Sequence, residues 1–286
     1  RSMNKKYFTP KKIHAYLRAA IQLVFFLFLP SAFTTAFSGI KSVLTQIGAG
    51  NPIAWSSFLT VLLALCAYTI VFGRFFCGYA CAFGTLGDAV HSLYLFLCKK
   101  CKKKPLLLKK SWKKPLSYLK YAVLLAVVLL CFLGVYGDLT GWSPWDVFSM
   151  LRSGNFKVGA YWLGCILLVL ILVGMVFCER FFCRFLCPMG AVFALLPILP
   201  FFSVRRKREK CAKGCTACEK VCPSDLSLPE DGSWNVSGDC FQCQKCLEIC
   251  PKKNAKSSIR NFRGNEIWFT LLRAVVLAAV LILAGI

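Results

Sequence analysis

Eight of the chain's 18 cysteines stand in two short runs, each ending in a Cys-Pro pair. The runs are Cys211-x3-Cys215-x2-Cys218-x3-Cys222-Pro223 and Cys240-x2-Cys243-x2-Cys246-x3-Cys250-Pro251. This spacing is typical of small α+β bacterial ferredoxin domains with two 4Fe–4S clusters, in which the fourth cysteine of each run serves the other run's cluster. The predicted ligands are Cys211, Cys215, Cys218 and Cys250 for cluster 1, and Cys240, Cys243, Cys246 and Cys222 for cluster 2.

Two other uses of cysteine are open for these runs. Structural zinc takes four sulfurs in two separated pairs, and a secreted domain can carry a disulfide framework. Neither predicts a duplicated four-cysteine run that ends in Cys-Pro. The first run has one more residue between Cys211 and Cys215 than the usual spacing, and Gly214 is expected to absorb it because glycine adopts backbone conformations closed to other residues.

The chain as a whole is too apolar for a soluble domain of 286 residues. Hydrophobic residues make up 57% of all residues and charged residues 17%, with a mean hydropathy of +0.61. Apolar runs long enough to cross a bilayer are predicted at 19–37, 58–73, 118–136, 161–178 and 267–286. We therefore predict a polytopic α-helical membrane protein with about five transmembrane helices and the ferredoxin domain inserted before the last.

The net charge of +24 is unevenly placed, which argues against a nucleic-acid partner. Basic residues concentrate in segments 1–18, 98–120 and 205–266, whereas loops 38–57 and 137–160 hold few. By the positive-inside rule, the three basic segments face the cytoplasm. This predicts an inner-membrane protein with its amino terminus and ferredoxin domain in the cytoplasm and, after five spans, its carboxyl terminus outside.

Two basic stretches have predicted contacts of their own. The lysine-rich loop 98–117 is expected to set the topology and touch anionic lipid, and docking of an acidic soluble donor such as a ferredoxin or flavodoxin is a second interpretation. The run Arg205–Arg208 is expected to hold the ferredoxin domain against lipid headgroups.

The membrane part contains an internal repeat. Residues 74–84, RFFCGYACAFG, recur as residues 180–190, RFFCRFLCPMG, at an offset of 106. Each copy follows a predicted span at the cytoplasmic face, so the repeats are expected to be parallel. A CxxxC motif on a helix places two sulfurs on one face, and the two motifs together could hold a third iron–sulfur cluster. One cluster per motif or a redox-active thiol pair are alternatives. The four cysteines are Cys77, Cys81, Cys183 and Cys187.

Other residues have simpler predicted roles. Arg74 and Arg180 either extend to phosphate headgroups or stabilise the negative charge of a cluster or a reduced quinone. The pair Cys98 and Cys101 is a spare ligand pair or a thiol site beside lysines. The remaining cysteines are expected to act as small hydrophobes and both histidines to lie at the interface. These are Cys66, Cys131, Cys165, Cys178, His14 and His91.

On the two RFFCxxxC copies and the two cysteine runs, the chain resembles membrane polyferredoxins of the NapH-like and NosR-like type. That family is associated with quinol oxidation in periplasmic nitrate and nitrous oxide reduction. Its membrane motif is CxxxCP, which Pro188 matches, whereas Ala82 replaces the proline in the first copy. The resemblance implies a quinol dehydrogenase-type subunit that exchanges electrons between its clusters and a quinone.

Together these patterns predict a membrane-bound iron–sulfur protein that passes electrons between cytoplasmic clusters and a quinone pool or partner redox complex. Two alternatives are a metal reductase or assembly factor, acting for example on copper, and a non-catalytic electron conduit. The predicted segments are a basic amino terminus, the first repeat, the lysine-rich loop, the second repeat, the ferredoxin domain and a final membrane helix. Their ranges are 1–18, 19–97, 98–117, 118–204, 205–262 and 263–286.

Overall fold

The structure is a computed structural model that describes residues 10–136, 143–152, 154–156, 161–199, 202–259 and 265–286. Most of the membrane part is helical. Its helices are α1 (Pro10–Phe28), α2 (Ala32–Gly48), α3 (Ser57–Phe72), α4 (Phe75–Tyr79), α5 (Ala82–Lys100), α6 (Lys110–Leu116), α7 (Leu119–Phe132), α8 (Pro144–Arg152), α9 (Trp162–Phe177), α10 (Pro188–Leu195) and, after the ferredoxin domain, α13 (Glu266–Leu283).

Helix length confirms only part of the predicted membrane topology. Within the described residues, α13 and the continuous stretch Ser111–Phe132 are long and apolar enough to cross a membrane, and α1 with α2 forms a bent third candidate. Helices α3 and α9 are apolar but shorter, at 16 residues each. Four of the five predicted spans coincide with α3, α7, α9 and α13, while the count of five stays a prediction. Much of the predicted outer loop 137–160 lies outside the described residues.

The first predicted span, 19–37, was wrong as a single helix. The helix is interrupted between α1 and α2, and the axes of the two helices meet at an angle of 61°. Pro30 lies at this break, and proline has no backbone N–H with which to continue a helix. Helix α2 then runs on to Gly48 through most of the predicted loop 38–57, because Phe33, Phe37 and Ile40 form a buried apolar stripe along it.

The predicted lysine-rich loop 98–117 is also helical at both ends. Helix α5 extends to Lys100, and α6 covers Lys110–Leu116. Lysine is a good helix former, and lysines in a last turn interact favourably with the negative end of the helix dipole. Lys99 and Lys100 occupy such a position in α5.

The ferredoxin domain is the predicted α+β unit. A three-stranded antiparallel sheet in the order β2-β1-β3 carries two short helices, one after the start of each cysteine run. A small apolar core between sheet and helices includes Val204, Leu228 and Leu247. Because β1 precedes the first run and β3 follows the second, the sheet brings the two ends of the cysteine-bearing segment together. The elements are β1 (Phe202–Lys207), α11 (Ala217–Lys220), β2 (Asp231–Trp234), α12 (Lys245–Ile249) and β3 (Lys256–Ile259).

The ferredoxin domain packs directly on the ends of the membrane helices. Arg18 of α1 donates a hydrogen bond to the carbonyl oxygen of Cys243 at 3.0 Å. Gln244 donates to the hydroxyl of Thr270 in α13 at 2.8 Å, and both side chains are buried. These contacts place the second cysteine run against α1 and α13.

Candidate iron–sulfur sites

The loop that opens the second cysteine run is sealed inside the protein. Phe241 to Gln244 are all buried. Gln242 and Gln244 adopt left-handed backbone conformations, with φ of 52° and 61°, which non-glycine residues adopt rarely. These two residues bend the chain tightly between Cys240 and the start of α12.

The bend lies beside a cavity of about 30 Å³ that is lined by Cys222, Cys240, Cys243 and Cys246. Cys218, which is predicted to bind cluster 1, also lines this cavity. The thiol of Cys246 interacts electrostatically with those of the other four cysteines. The structure therefore brings together the residues predicted to hold cluster 2, including the one contributed by the first run.

The chemistry of this cavity suits an iron–sulfur cluster. All eighteen cysteines of the chain are unpaired. Within the described residues, no three His, Cys, Asp or Glu side chains are placed to hold a single metal ion. In a 4Fe–4S cluster each cysteine binds a different iron, so the sulfurs lie farther apart than around one tetrahedral zinc with Zn–S bonds of about 2.3 Å.

The ends of the two runs are joined by Asn254. Its side-chain amide donates to the sulfur of Cys211 at 3.3 Å, and its backbone N–H donates to the sulfur of Cys250 at 3.2 Å. One residue thus holds the first cysteine of one run beside the last cysteine of the other, as the crossed assignment of cluster 1 requires. Gly214 has a φ of +66°, the left-handed conformation expected of the extra residue in this loop.

The basic run Arg205–Arg208 does not form the predicted lipid-facing strip. Arg206 is buried and donates to the sulfur of Cys218 at 3.0 Å. Arg208 donates to the carbonyl oxygen of Cys215 at 2.8 Å. Because successive side chains of a strand point to opposite faces, β1 directs Arg206 inward and leaves Arg205 and Lys207 outside. Two arginines of the basic run, Arg206 and Arg208, therefore donate hydrogen bonds to the first cysteine loop.

Burial governs the acid–base chemistry of the second run. It raises the pKa of the Cys240 thiol to about 11 and that of Cys243 to about 12. Both thiols are therefore neutral near pH 7 in the chain without metal. Because iron binds thiolates, loading this site must release protons.

The four cysteines of the RFFCxxxC motifs also come together. Cys77, Cys81, Cys183 and Cys187 are all buried. The side chains of Cys81 and Cys183 interact with each other across the two copies. The thiol of Cys187 interacts electrostatically with those of Cys77 and Cys183. The sequence predicted this meeting of the two motifs.

The motif backbone differs from the predicted continuous helix. In each copy the second cysteine is extended and lies just before a helix, with φ and ψ of −66° and 123° at Cys81 and −73° and 114° at Cys187. An N–H to C=O bond over five residues closes each turn, from Cys81 to Phe76 and from Cys187 to Phe182. Proline after a cysteine disfavours helix at that cysteine, yet the first copy, with Ala82, adopts the same shape.

Arg74 and Arg180 are wholly buried and face the motifs rather than lipid headgroups. Arg74 lies 4.0 Å from the sulfur of Cys77 and contacts Gly190 at the end of the second motif. Arg180 donates to the carbonyl oxygens of Cys77 and Gly78 in the first motif. Each arginine of the repeat therefore reaches into the opposite copy.

Phe241 is the point where the second cysteine run meets the membrane motifs. The guanidinium carbons of Arg74 and Arg180 lie 4.7 Å and 5.3 Å from the centre of its ring. Its carbonyl oxygen abuts Gly78, leaving no room for a Cβ there. Arg180 also interacts electrostatically with both Cys243 and Cys183. The two arginines thus lie between the candidate cluster 2 and the four-cysteine site.

Several residues around these sites were not predicted from the sequence. Asp88 is the main one: it is buried and accepts hydrogen bonds from Arg180, at 3.0 Å, and from Gln22, at 2.8 Å. A signal existed, since Asp88 is the only Asp or Glu in residues 1–137. The contacts of Asn254 and Phe241 depend on tertiary packing and left no pattern in the sequence.

The remaining predicted residues lie away from the sulfur sites or line the core. His91 is buried on α5 with its Nδ1 3.0 Å from the carbonyl oxygen of Val176. His14 lies 3.5 Å from Glu266. The CxxC pair is at the end of α5, with Cys101 exposed. The other four cysteines pack as buried or half-buried side chains, and they are Cys66, Cys131, Cys165 and Cys178.

Comparison with known proteins bears on the repeated motifs directly. A family model described as a 4Fe–4S binding domain matches residues 54–115 and 160–208, the segments that contain the two RFFCxxxC copies. Among the relatives, the uncharacterized protein MJ0749 of Methanocaldococcus jannaschii is 32% identical over 195 residues, covering 68% of each chain. The chain belongs to the NapH/NosR-like polyferredoxin family.

Relatives in this polyferredoxin family bear redox names. The ferredoxin-type protein NapH of Haemophilus influenzae is 27% identical over 211 residues, which are 70% of this chain and 67% of NapH. The putative electron transport protein YccM of Escherichia coli is 26% identical over 219 residues, 75% of this chain and 59% of YccM. No solved structure matches the chain significantly. The family assignment makes this polyferredoxin a membrane-associated, ferredoxin-type electron transport protein.

Proposed function

We propose that this polyferredoxin holds three 4Fe–4S clusters and transfers electrons between its ferredoxin domain and the membrane. The convergence of Cys77, Cys81, Cys183 and Cys187 beside the Phe241 loop carries the proposal. The family model for 4Fe–4S binding, which matches both motif segments, supports a cluster at this site. The ferredoxin domain supplies the other two sites, with the crossed ligand sets predicted from its two cysteine runs.

The protein's own residues prepare each site for one-electron chemistry. Bound clusters supply the redox step, and their potentials respond to nearby charge, hydrogen bonds and burial. Arg74 and Arg180 place two guanidinium groups between cluster 2 and the membrane site. Their charge is partly offset by Asp239 and Asp88, and their N–H donors stabilise added negative charge on either cluster. Burial of the Phe241 loop excludes water from the same region and so strengthens these electrostatic effects.

A quinone or a partner redox subunit is the proposed exchange partner at the membrane side. Family membership supports a redox partner in general, and the apolar helices of the membrane part are compatible with a lipid-soluble quinone as that partner. The proposed orientation keeps the amino terminus and the ferredoxin domain in the cytoplasm, on the distribution of basic residues. The six-segment division given above is retained as the proposed domain organisation.

Iron content of chain purified without oxygen tests the number of sites. Three clusters predict about twelve irons and about twelve acid-labile sulfides per chain, whereas two predict about eight of each. Cys183→Ser should lower iron by about four and leave the spectra of the other two clusters unchanged. The matched control Cys165→Ser, at a half-buried cysteine outside the motifs, should change nothing. About eight irons in both the parent chain and Cys183→Ser would refute the membrane cluster.

A second experiment tests exchange with the membrane. In lipid vesicles, a quinol analogue should reduce the clusters, or a quinone analogue should oxidise them, without any other protein present. Reduction by dithionite that is never followed by exchange with either analogue would exclude the quinone step and leave a partner subunit as the remaining exchange route.

A further inference from the structure

We propose that the exposed face around Cys211 and Cys250 is the docking surface for a soluble one-electron carrier with an acidic surface. This inference rests on the proposed function, because it requires a cluster held by the first run. It concerns the ferredoxin domain and not the lysine-rich stretch between α5 and α6. In the step proposed, the carrier loses one electron, the cluster gains it, and no covalent bond forms or breaks.

Exposure distinguishes the first run from the second. The three residues between Cys211 and Cys215 are all exposed, as are Pro251 and the two lysines that follow it. Asn254 links the sulfurs of Cys211 and Cys250 within this exposed edge. A carrier can therefore approach the first run from solvent, whereas the corresponding residues of the second run are buried against the membrane motifs.

Charge on this face is strongly one-sided. Segments 207–218 and 249–256 contain seven basic residues and one acidic residue, Glu209. Two glutamates border these segments, Glu219 and Glu248, and Glu248 is paired with Arg18. None of the exposed lysines in these two segments forms an ion pair within the part of the chain that the structure describes. They are Lys207, Lys210, Lys213, Lys252, Lys253 and Lys256.

Lys245 and Arg184, at the side of the ferredoxin domain that faces the membrane part, are in ion pairs. Lys245 pairs with Glu179 and Arg184 pairs with Asp225, so the charges that face the membrane part are neutralised within the protein. Unneutralised positive charge that surrounds an accessible redox site favours encounter with a negatively charged partner and raises its association rate.

The centre of the face is apolar, as a protein-binding surface requires. Ile249 is 44% exposed and stands next to Cys250, with Pro251 exposed immediately after it. Beside them a cavity of about 270 Å³ is lined by Leu247, Cys250 and Ala255 together with the polar side chains of His14, Lys253, Lys256 and Glu266. An apolar centre with a charged rim is the usual anatomy of an interface, and weak redox complexes use small ones.

The lysine-rich stretch provides a matched control. Its exposed Lys100, Lys103 and Lys104 carry the same charge, but the stretch is anchored to the membrane part. The Leu106 N–H donates to the Tyr94 hydroxyl, and the Leu108 N–H to the carbonyl oxygen of Phe177. The ion pair between Lys113 and Asp225 joins this segment to the ferredoxin domain beyond the last cysteine of the first run, and it involves none of the three control lysines.

The experiment compares two triple charge reversals in the full chain with its clusters loaded. Lys210→Glu, Lys213→Glu and Lys252→Glu alter the proposed surface, and Lys100→Glu, Lys103→Glu and Lys104→Glu form the control. The probe is an acidic bacterial flavodoxin. Its binding is measured by surface immobilisation, and bleaching of cluster absorbance by the reduced form gives the electron-transfer rate.

We expect the first triple variant to lower both flavodoxin affinity and the second-order rate roughly tenfold or more at low salt. The difference should vanish when salt screens the charges. The control triple should lie within about twofold of the parent. Dithionite should reduce all three proteins equally, which shows that the clusters are intact.

Three results would overturn the docking surface. The control triple could reduce binding as much as the first, the first could bind normally, or the first could lose affinity only for vesicles with anionic lipid, which would make the face a membrane contact. In each case normal reduction by dithionite leaves the proposed function standing. Failure of dithionite to bleach even the parent chain would instead refute the proposed function itself.

Discussion

The two cysteine runs have almost the same ligand spacing but opposite surroundings. The first lies at an exposed edge among unpaired lysines, with Gly214 at its open loop. The second is enclosed, with Phe241 held between two buried arginines. Two clusters with the same cysteine ligands can therefore take different positions in an electron-transfer chain, because the surrounding residues expose one and bury the other. The first run is suited to exchange with solvent-borne carriers and the second to exchange with the membrane site.

Replacing the last cysteine of each run tests this assignment most severely. Cys222→Ser should remove cluster 2, and Cys250→Ser should remove cluster 1, each with a loss of about four irons per chain. Electron paramagnetic resonance with a water-soluble relaxing agent identifies the survivor. The ferredoxin-domain cluster that remains in Cys222→Ser should be broadened strongly, and the one that remains in Cys250→Ser weakly. The reverse pattern would show that the ligand sets are not crossed.

After iron has been removed, the thiols of the two cysteine runs should react with an alkylating reagent at different rates. Cys240 and Cys243 have pKa values raised by burial to about 11 and about 12, so at pH 8 their thiolate fractions are roughly 100- to 1,000-fold below that of an ordinary cysteine. After chelation, alkylation followed by mass spectrometry should therefore modify Cys211 and Cys215 first. Raising the pH should accelerate the buried pair. Equal rates for both runs at pH 8 would contradict the sealed loop.

Asp88→Asn tests the buried ion pair that holds Arg180 beside the second cysteine run. It removes the carboxylate paired with Arg180 and leaves a buried charge uncompensated, which costs about 3–5 kcal/mol of the free energy of unfolding. Chemical denaturation in detergent measures the loss. Asp231→Asn, at an exposed position on β2, is the control and should unfold like the parent. Unchanged stability of Asp88→Asn would show that this ion pair contributes nothing to the free energy of unfolding.

A pair of glycine variants gives the smallest expected effect. In Gly78→Ala the new Cβ would collide with the carbonyl oxygen of Phe241, and we expect a loss of about 1–3 kcal/mol with slower reduction of the membrane site. Gly214→Asn should cost less than about 1 kcal/mol, because its surroundings are open and asparagine tolerates a positive φ. Denaturation and stopped-flow bleaching compare the two. Similar losses in both variants would mean that the two loops are equally enclosed.

Local patterns in the sequence were sufficient to locate the apolar helices and to select the candidate cluster ligands, whose assignment stays a prediction. Ligand spacing around Cys211 and Cys240 is set within a dozen residues, and the runs at 58–73 and 267–286 need only hydropathy. Pro30 was visible inside the first predicted span, but the apolar residues on both sides concealed the break. In the basic run, strand alternation rather than charge decided that Arg206 points inward.

Long-range packing explains what the sequence did not predict. Phe241 contacts arginines that lie more than 60 residues away in sequence, and no periodicity encodes such a meeting. Arg74 and Arg180 each contact the motif of the opposite repeat copy. These contacts depend on how the two copies face each other. The four motif cysteines lie together in the structure, and the duplicated motif was the pattern that predicted this arrangement. Binding of a cluster by these cysteines stays a prediction.

The abutment of Gly78 on the Phe241 carbonyl fixes the ferredoxin domain in place, so it does not act as a tethered shuttle that swings between partners. It also constrains biogenesis. Phe241 and the two arginines cover the loop that carries Cys240 and Cys243, so a protein that delivers iron has less access to these sulfurs after the domain has docked. We therefore expect cluster insertion to be faster before docking, while the last helix and the ferredoxin domain are still apart from the rest of the chain.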